Sequence, residues 1–286
     1  MSGPSFEPAE ARKLAEVFRV HAGLAFTEEA LALLQRRLWP RLTATGVRSF
    51  HEYLGVLHDS PREVEEATEL LTTHETYFFR EDYQLNAFRR ELLPLLAERA
   101  ATRKRLVFWS AGCSTGEEAY TIAMLVDASG LFDGWEVRVA GTDLSRRCIG
   151  VAKKGIYQAS AFRTTPREMR QAYFVETDGG ASVAPQIRRM CTFYRGNLLD
   201  GADLHAYPRA DAIFCRNVLI YLDAAGRRQV LVRLFDRLTP GGFLLLGHSE
   251  SLLNTSCAFQ PLNLGDDIVY VRPENAHSFD DPGGRG

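Results

Sequence analysis

Up to about residue 90, apolar positions recur at helical spacing. Leu31, Leu34, Leu38 and Leu42 share one face behind Thr27, an N-cap candidate, and Glu28 and Glu29 suit a first helical turn. Ser60-Pro61-Arg62-Glu63 reads as a capping box with proline at the first helical position, and Val64, Ala67 and Leu71 continue one face. Pro40 predicts a kink or an early end to the preceding helix. From Arg105 the rhythm changes. Short apolar runs at Leu106–Trp109, Glu136–Ala140, Ala212–Cys215 and Phe243–Leu246 alternate with helical stretches: Glu117–Ala128, one from about Ser145, and one carrying Leu231, Leu234, Phe235 and Leu238 that Pro240-Gly241-Gly242 ends. That alternation predicts an α/β domain with a parallel sheet and helices on both faces, closed by strands near Phe259–Leu262 and Ile268–Val271. Residues from Gly155 to Arg195 break the rhythm around Thr177-Asp178-Gly179-Gly180 and predict a small inserted antiparallel subdomain. After Pro273 the composition turns to Asn, Asp, Pro and Gly without periodicity, which predicts a disordered tail.

Composition narrows the classes. A chain of 286 residues exceeds one average domain, and 45% apolar content fits a globular protein. Basic residues number 34 and acidic ones 36, so there is no cationic footprint for a nucleic acid. Apolar runs such as Phe243–Leu246 are far shorter than a membrane span and no charged-then-apolar leader opens the chain, so a soluble, cytoplasmic protein is expected. The cysteines at 113, 148, 191, 215 and 257 are odd in number and form no C-x-x-C pair. Reduced thiols and no metal site are the expectation.

The chemistry concentrates after the first predicted strand, in Trp109-Ser110-Ala111-Gly112-Cys113-Ser114-Thr115-Gly116-Glu117-Glu118-Ala119-Tyr120. Gly112 and Gly116 permit positive φ, and a helix opening there offers unpaired N–H groups to a ligand. Glu117 and Glu118 in the first turn satisfy the helix dipole and repel a pyrophosphate, so a cationic or zwitterionic ligand suits the turn better; a glycine joint used for packing alone is the alternative. Asp143 closes the second strand, where an acidic side chain accepts hydrogen bonds from ribose hydroxyls, unless it caps the next helix. Ribose with a non-phosphate partner suggests S-adenosylmethionine. Arg216 and Asn217 follow another strand at its carboxyl end, with Tyr221 beyond them; a turn residue and core filling are the alternatives there. Tyr77-Phe78-Phe79 precede Arg80, which is either a cleft residue or a surface cation.

Together these motifs resemble the CheR family of chemoreceptor glutamate methyltransferases. The matching pieces are Thr72-Thr73 through Phe78-Phe79-Arg80-Glu81, Ala111 to Glu118, Gly141-Thr142-Asp143, Gly155-Ile156-Tyr157, Asn197-Leu198-Leu199, Phe214 to Tyr221 and Gly247-His248-Ser249-Glu250-Ser251, in family order over roughly residues 20 to 272. The resemblance implies a Rossmann-like class I S-adenosylmethionine-dependent methyltransferase domain over residues 105–272, with the β-subdomain inserted at about 156–195. An N-terminal all-helical domain (1–85) and a linker helix (86–104) would precede it, and a tail (273–286) would follow. It also implies that Glu117 faces the methionine end of the cofactor, Asp143 the ribose, and Asn197 with Leu198 the adenine, around the Gly112 turn. Arg216, Asn217 and Tyr221 would line the reacting end, with Thr76 and Arg80 arriving from the helical domain. His74 stands where family members commonly carry Asn, and a neutral imidazole still donates one hydrogen bond and accepts another.

The reaction implied is methyl transfer to a receptor glutamate, which is ionised at neutral pH (pKa about 4.3) and needs no general base. Arg80 and Tyr221 are the candidates for aiming that carboxylate. Arg36, Arg37, Arg41 and Arg48 form a basic stretch that suits docking of acidic, methyl-accepting receptor helices, where a solvated helix face is the alternative. A monomer is the default expectation. The rival readings are another methyltransferase on the same fold, a noncatalytic cofactor-sensing module, and an NAD-dependent dehydrogenase, the last weakened by the missing G-x-G-x-x-G.

Overall fold

The computed structural model describes residues 7–201, 209–253, 255, 257–265 and 267–280. The chain divides into two compact units, Met1–Thr73 with Tyr221–Val230, and His74–Ile220 with Leu231–Gly286.

The first unit is built on four helices, α1 (Pro8–Ala22), α2 (Glu28–Thr45), α3 (Phe50–Asp59) and α4 (Pro61–Leu71). Thr27 and Ser60 cap α2 and α4 through their hydroxyls, accepting from Ala30 N and Glu63 N. Leu14, Phe18, Leu34, Leu38, Leu42, Phe50 and Leu71 form the apolar core. Pro40 does not end α2, which runs on to Thr45; proline forfeits one backbone bond there, and the buried leucines on either side hold the helix. The Glu63 side chain is turned inward to meet the Arg41 guanidinium at 2.8 and 2.6 Å, and the Tyr53 hydroxyl donates to it at 2.7 Å. Burial alone would raise the Glu63 carboxyl, but the bonds from Arg41 and Tyr53 outweigh it and hold the pKa below the ordinary range. Tyr221 to Asp223 join this unit by backbone: Ala25 N donates to Tyr221 O, Asp223 N donates to Gly23 O, and Arg19 pairs with Asp223 at 3.2 Å.

The second unit carries a seven-stranded sheet in the order β6-β2-β1-β7-β8-β10-β9. Its strands are β1 (Arg105–Ala111), β2 (Glu136–Asp143), β6 (Cys191–Arg195), β7 (Ala210–Cys215), β8 (Leu238–Leu246), β9 (Gln260–Leu264) and β10 (Asp267–Val271). Five neighbours from β6 to β8 pair in parallel, and β9-β10 is an antiparallel hairpin at one edge. The predicted α/β class is observed. The chain leaves β1 for β2 on one side and later returns to β7 on the other, so the carboxyl ends of β1, β2 and β7 frame a topological switch point.

Helices α5 (Asp82–Ala87) and α6 (Leu93–Ala100), joined by a π-helical turn, lead into β1; α7 (Glu117–Ala128) follows it, α8 (Arg146–Lys154) follows β2, and α9 (Ala224–Arg237) precedes β8. The small antiparallel sheet is β3-β5-β4, from Ile156–Tyr157, Gly180–Val183 and Phe174–Thr177. It is shorter than the sequence suggested: Cys191–Arg195 leaves the insertion and pairs with β2 as the edge of the main sheet. The tail differs as well. As far as Asp280 it is described, and buried Phe279 meets the rings of Phe235 and Phe259 at centroid distances of 6.1 and 6.2 Å. Ala276 and Phe279, both buried, are spaced along a polar segment and carry no periodicity that a sequence reading could register. The rest of the tail lies outside the described residues.

Removing the carboxylate from the Arg41–Glu63–Tyr53 cluster strands a cation and a hydroxyl. Glu63→Ala is expected to lower unfolding free energy by about 2–4 kcal/mol in urea titrations, the range for breaking a buried pair discounted for Arg41's partial exposure. Parent-like stability would refute the assignment.

Candidate active site

The glycine turn after β1 is shaped by the end of β2. Gly112 N and Cys113 N both donate to Thr142 O, at 2.8 and 2.9 Å, and Ser114 N donates to Asp143 Oδ2 at 2.8 Å. These three N–H groups of the turn are therefore engaged by the end of β2 and are not donors to a phosphate. Gly112 sits at φ +84°, and a Cβ there would lie 2.4 Å from Val218 Cγ2, so the glycine is required by both conformation and space. Ser114 adopts φ +48°, which for a non-glycine residue marks a conformation held by its surroundings. Asp143 accepts on both oxygens, from Ser114 N and from Ser145 N at 2.9 Å. Ser145, not Asp143, caps α8 by accepting from Cys148 N at 3.0 Å.

The paired glutamates separate in role. Glu118 turns inward, accepting from Ser110 Oγ at 2.7 Å and pairing with Arg216 at 3.1 Å. Glu117, only 4% exposed, accepts from Thr115 Oγ1 at 2.7 Å and has no cationic partner among the described residues. Burial pushes its carboxyl up to about 7, against a weaker opposing pull from Thr115. A buried carboxylate at a helix start without a cation suits a ligand that brings its own ammonium. By their chemistry, Asp143 at the end of β2 suits a ribose diol and Glu117 suits an ammonium, two groups that an S-adenosyl ligand carries.

Arg216, at the end of β7, is buried, and its guanidinium donates to Glu81 at 2.9 Å, to Arg80 O at 2.8 Å and to Glu118 at 3.1 Å. Both Nη atoms are thereby engaged within the protein, while Nε is buried with no hydrogen-bond partner among the described residues. Asn217 follows at φ +58° and donates from Nδ2 to Glu81 Oε1 at 3.3 Å. The loop it opens is clamped by Glu250, whose Oε2 accepts from Asn217 N and Gly247 N, and whose Oε1 accepts from Val218 N and Ile220 N. Beside this clamp opens a cavity of about 670 Å³ lined by Tyr83, Gly247, His248, Glu250, Asp267 and Tyr270.

His74, Thr76 and Arg80 belong to the α/β unit and not, as expected, to the helical one. Phe78 anchors their segment, fully buried among Tyr157, Phe162 and Phe174, with Phe78 N donating to Ala161 O. Arg80 donates to Glu75 O at 2.9 Å and lies 3.8 Å from Glu81. Asn197 uses Oδ1 to accept from Leu199 N, and Leu198 O accepts from Arg233. Tyr221 and the four arginines lie in the other compact unit. Of those arginines, Arg41 is committed to Glu63 and Arg37 donates to Leu71 O at 2.8 Å, whereas Arg36 and Arg48 are exposed. Glu81, Ser114, Glu118 and Glu250 were not singled out as site residues by the sequence reading. Their partners lie far along the chain, and only motif membership marked them.

Replacing one Glu250 oxygen by an NH2 turns a donor toward backbone donors. Glu250→Gln is expected to cost about 1–3 kcal/mol in denaturant unfolding. An unchanged midpoint would remove the clamp from the account.

Two family sequence profiles match the chain in succession, "CheR methyltransferase, all-alpha domain" over residues 9–72 and "CheR methyltransferase, SAM binding domain" over residues 74–266. Their junction coincides with the division between the two compact units. The chain is 30% identical over 279 residues to "Chemotaxis protein methyltransferase 2" of Vibrio cholerae, spanning 94% of this chain and 95% of that protein. It is 35% identical over 240 residues to "Chemotaxis protein methyltransferase 2" of Pseudomonas aeruginosa, spanning 82% and 83%. Among solved structures, an O-methyltransferase family protein from Burkholderia thailandensis aligns with a TM-score of 0.38 and 13% identity over 94% of this chain and 69% of that one. The chain belongs to the CheR methyltransferase family, an all-α domain followed by a domain that binds S-adenosylmethionine.

Proposed function

We propose that this protein is a cytoplasmic protein-glutamate O-methyltransferase that esterifies glutamate side chains on chemoreceptor cytoplasmic helices. The observation that carries the reading is Glu117, a buried carboxylate at the start of α7 with no cationic partner among the described residues, together with Asp143 held by two backbone N–H groups. The relatives named chemotaxis protein methyltransferases support the receptor as acceptor. When bound, S-adenosylmethionine supplies an electrophilic methyl on a sulfonium. Glu117 would hold the ammonium, Asp143 the ribose hydroxyls, and Asn197 with Leu198 the adenine side. The acceptor carboxylate needs no base, so the protein's task is alignment and exclusion of water, which is worth up to about 7–11 kcal/mol. Arg80 is proposed to aim that carboxylate. Arg80 is restrained by Glu75 O, which leaves its charge to orient the acceptor without clamping both oxygens. Exposed Arg36 and Arg48 are proposed to dock the acidic receptor helix, since Arg41 is tied internally.

Incubation with methyl-labelled S-adenosylmethionine and receptor cytoplasmic domains from the same genome is expected to give alkali-labile label on glutamate peptides. In that assay Arg80→Ala should lower kcat by about 100-fold while S-adenosylhomocysteine affinity changes little, and paired Arg36→Glu and Arg48→Glu should raise KM for the receptor at low salt. Label that resists alkali would exclude carboxyl methylation, and wild-type turnover of Arg80→Ala would exclude that residue's role.

The raised Glu117 pKa also sets a pH dependence. In the free protein the group is neutral below about 7, so binding an ammonium must then release a proton. Calorimetric affinity for S-adenosylhomocysteine is expected to fall toward tenfold per pH unit below about pH 7 and to level above it. For stability the sign is opposite: the group's contribution is full below its ordinary value near 4.5 and is lost as pH rises through about 7. Glu117→Gln should bind more weakly at pH 8 and flatten both profiles; an unaltered slope in that variant would refute the assignment.

A further inference from the structure

Three metal-ligating side chains converge beside the glycine turn. His74 from the segment before α5, Asp143 at the end of β2 and Cys148 in the first turn of α8 bring one ligand atom each to within 4.8 Å of one another. We propose that they form a binding site for a thiophilic divalent cation of the zinc class, which excludes the adenosyl cofactor while it is bound. The donor set is one imidazole nitrogen, one carboxylate oxygen and one thiolate, with a fourth position for water. That composition suits four-coordinate zinc, and thiolate with carboxylate matches the ion's two charges. Tetrahedral bonds of about 2.0–2.3 Å require donors closer together than 4.8 Å, so binding an ion requires the His74 and Cys148 side chains to close on Asp143, which Ser114 N and Ser145 N hold.

The backbone already orients this set. Ser114 is its hub: its N–H fixes Asp143 Oδ2, its hydroxyl donates to His74 O at 3.3 Å, and the same hydroxyl lies 3.9 Å from Cys148 Sγ. Ser145 repeats the pattern, with N–H on Asp143 Oδ1 and Oγ accepting from Cys148 N. Outer contacts of this kind hold metal ligands in place in zinc sites. Ser114's left-handed φ of +48° shows that the surrounding bonds determine its position. His74 and Asp143 are half-buried and Cys148 buried, so an ion would enter past the first two. On entry the Cys148 thiol releases its proton to the buffer, a metal–sulfur bond forms, and bound water leaves the ion. The expectation from cysteine spacing, that no metal site exists, looked for cysteines near each other in sequence; here the ligands come from three separate segments.

The exclusion half of the proposal rests on the reading that Asp143 takes the ribose. The metal half does not, and the experiment separates them. The chelator-treated full chain is titrated with zinc chloride by calorimetry and with Co2+ by absorption, where a sulfur-to-cobalt charge-transfer band reports a thiolate ligand. One equivalent with that band is expected, and His74→Asn and Cys148→Ala should each weaken binding by at least about tenfold, with the band lost in the second. Absence of the band, or parent-like affinity in both variants, overturns the site. Saturating S-adenosylhomocysteine is expected to abolish zinc uptake. Unchanged zinc affinity with the nucleoside bound overturns exclusion, and failure of the nucleoside to bind at all counts against the cofactor reading alone.

Discussion

Arg216 is the residue on which the geometry of the α/β unit turns. Its guanidinium is 3% exposed and joins Glu118 at the start of α7, Glu81 before α5 and the carbonyl of Arg80. A buried cation is tolerated only when paired and hydrogen-bonded, so those two segments cannot drift from the end of β7 without stranding a charge. Around it the carboxylates diverge. Burial pushes Glu118 above its ordinary range, with Arg216 pulling against the shift, whereas Arg216 outweighs burial at Glu81 and holds it below. Asn217 is carried into its left-handed conformation by the same framework, with Glu250 holding the loop from the other side.

Among the described residues Glu117 has no cationic partner, whereas its neighbour Glu118 is paired with Arg216. The N–H groups of Gly112, Cys113 and Ser114 bond to the end of β2. A buried carboxylate of this kind suits a zwitterionic ligand better than a dinucleotide, whose phosphates it would repel.

Much of the fold was legible because burial leaves a period in the sequence. The boundaries of α7 were read to the residue, since an apolar face and two glutamates mark it. Cys191–Arg195 escaped because an edge strand alternates exposed and buried positions, and its polar residues resemble a loop. The Ser60 box was half right: the hydroxyl caps α4, but Glu63 found a stronger partner in Arg41 than in the backbone. Arg216 is legible in the sequence as a charged residue at a strand end. Its carboxylate partners are not, because Glu118 and Glu81 lie 98 and 135 positions away and pairing over that range leaves no local pattern.

By itself the sequence determined the α/β class, the glycine turn, the acidic start of α7 and the family motifs, because periodicity, φ requirements and helix electrostatics act over a few residues. The tertiary structure alone decided which of two adjacent glutamates is spent on Arg216, which arginines stay exposed, and that the His74–Arg80 segment packs with the sheet. It also decided that His74, Asp143 and Cys148 meet. Desolvation and charge pairing depend on what surrounds a group in space, and that is set only once the chain has closed on itself.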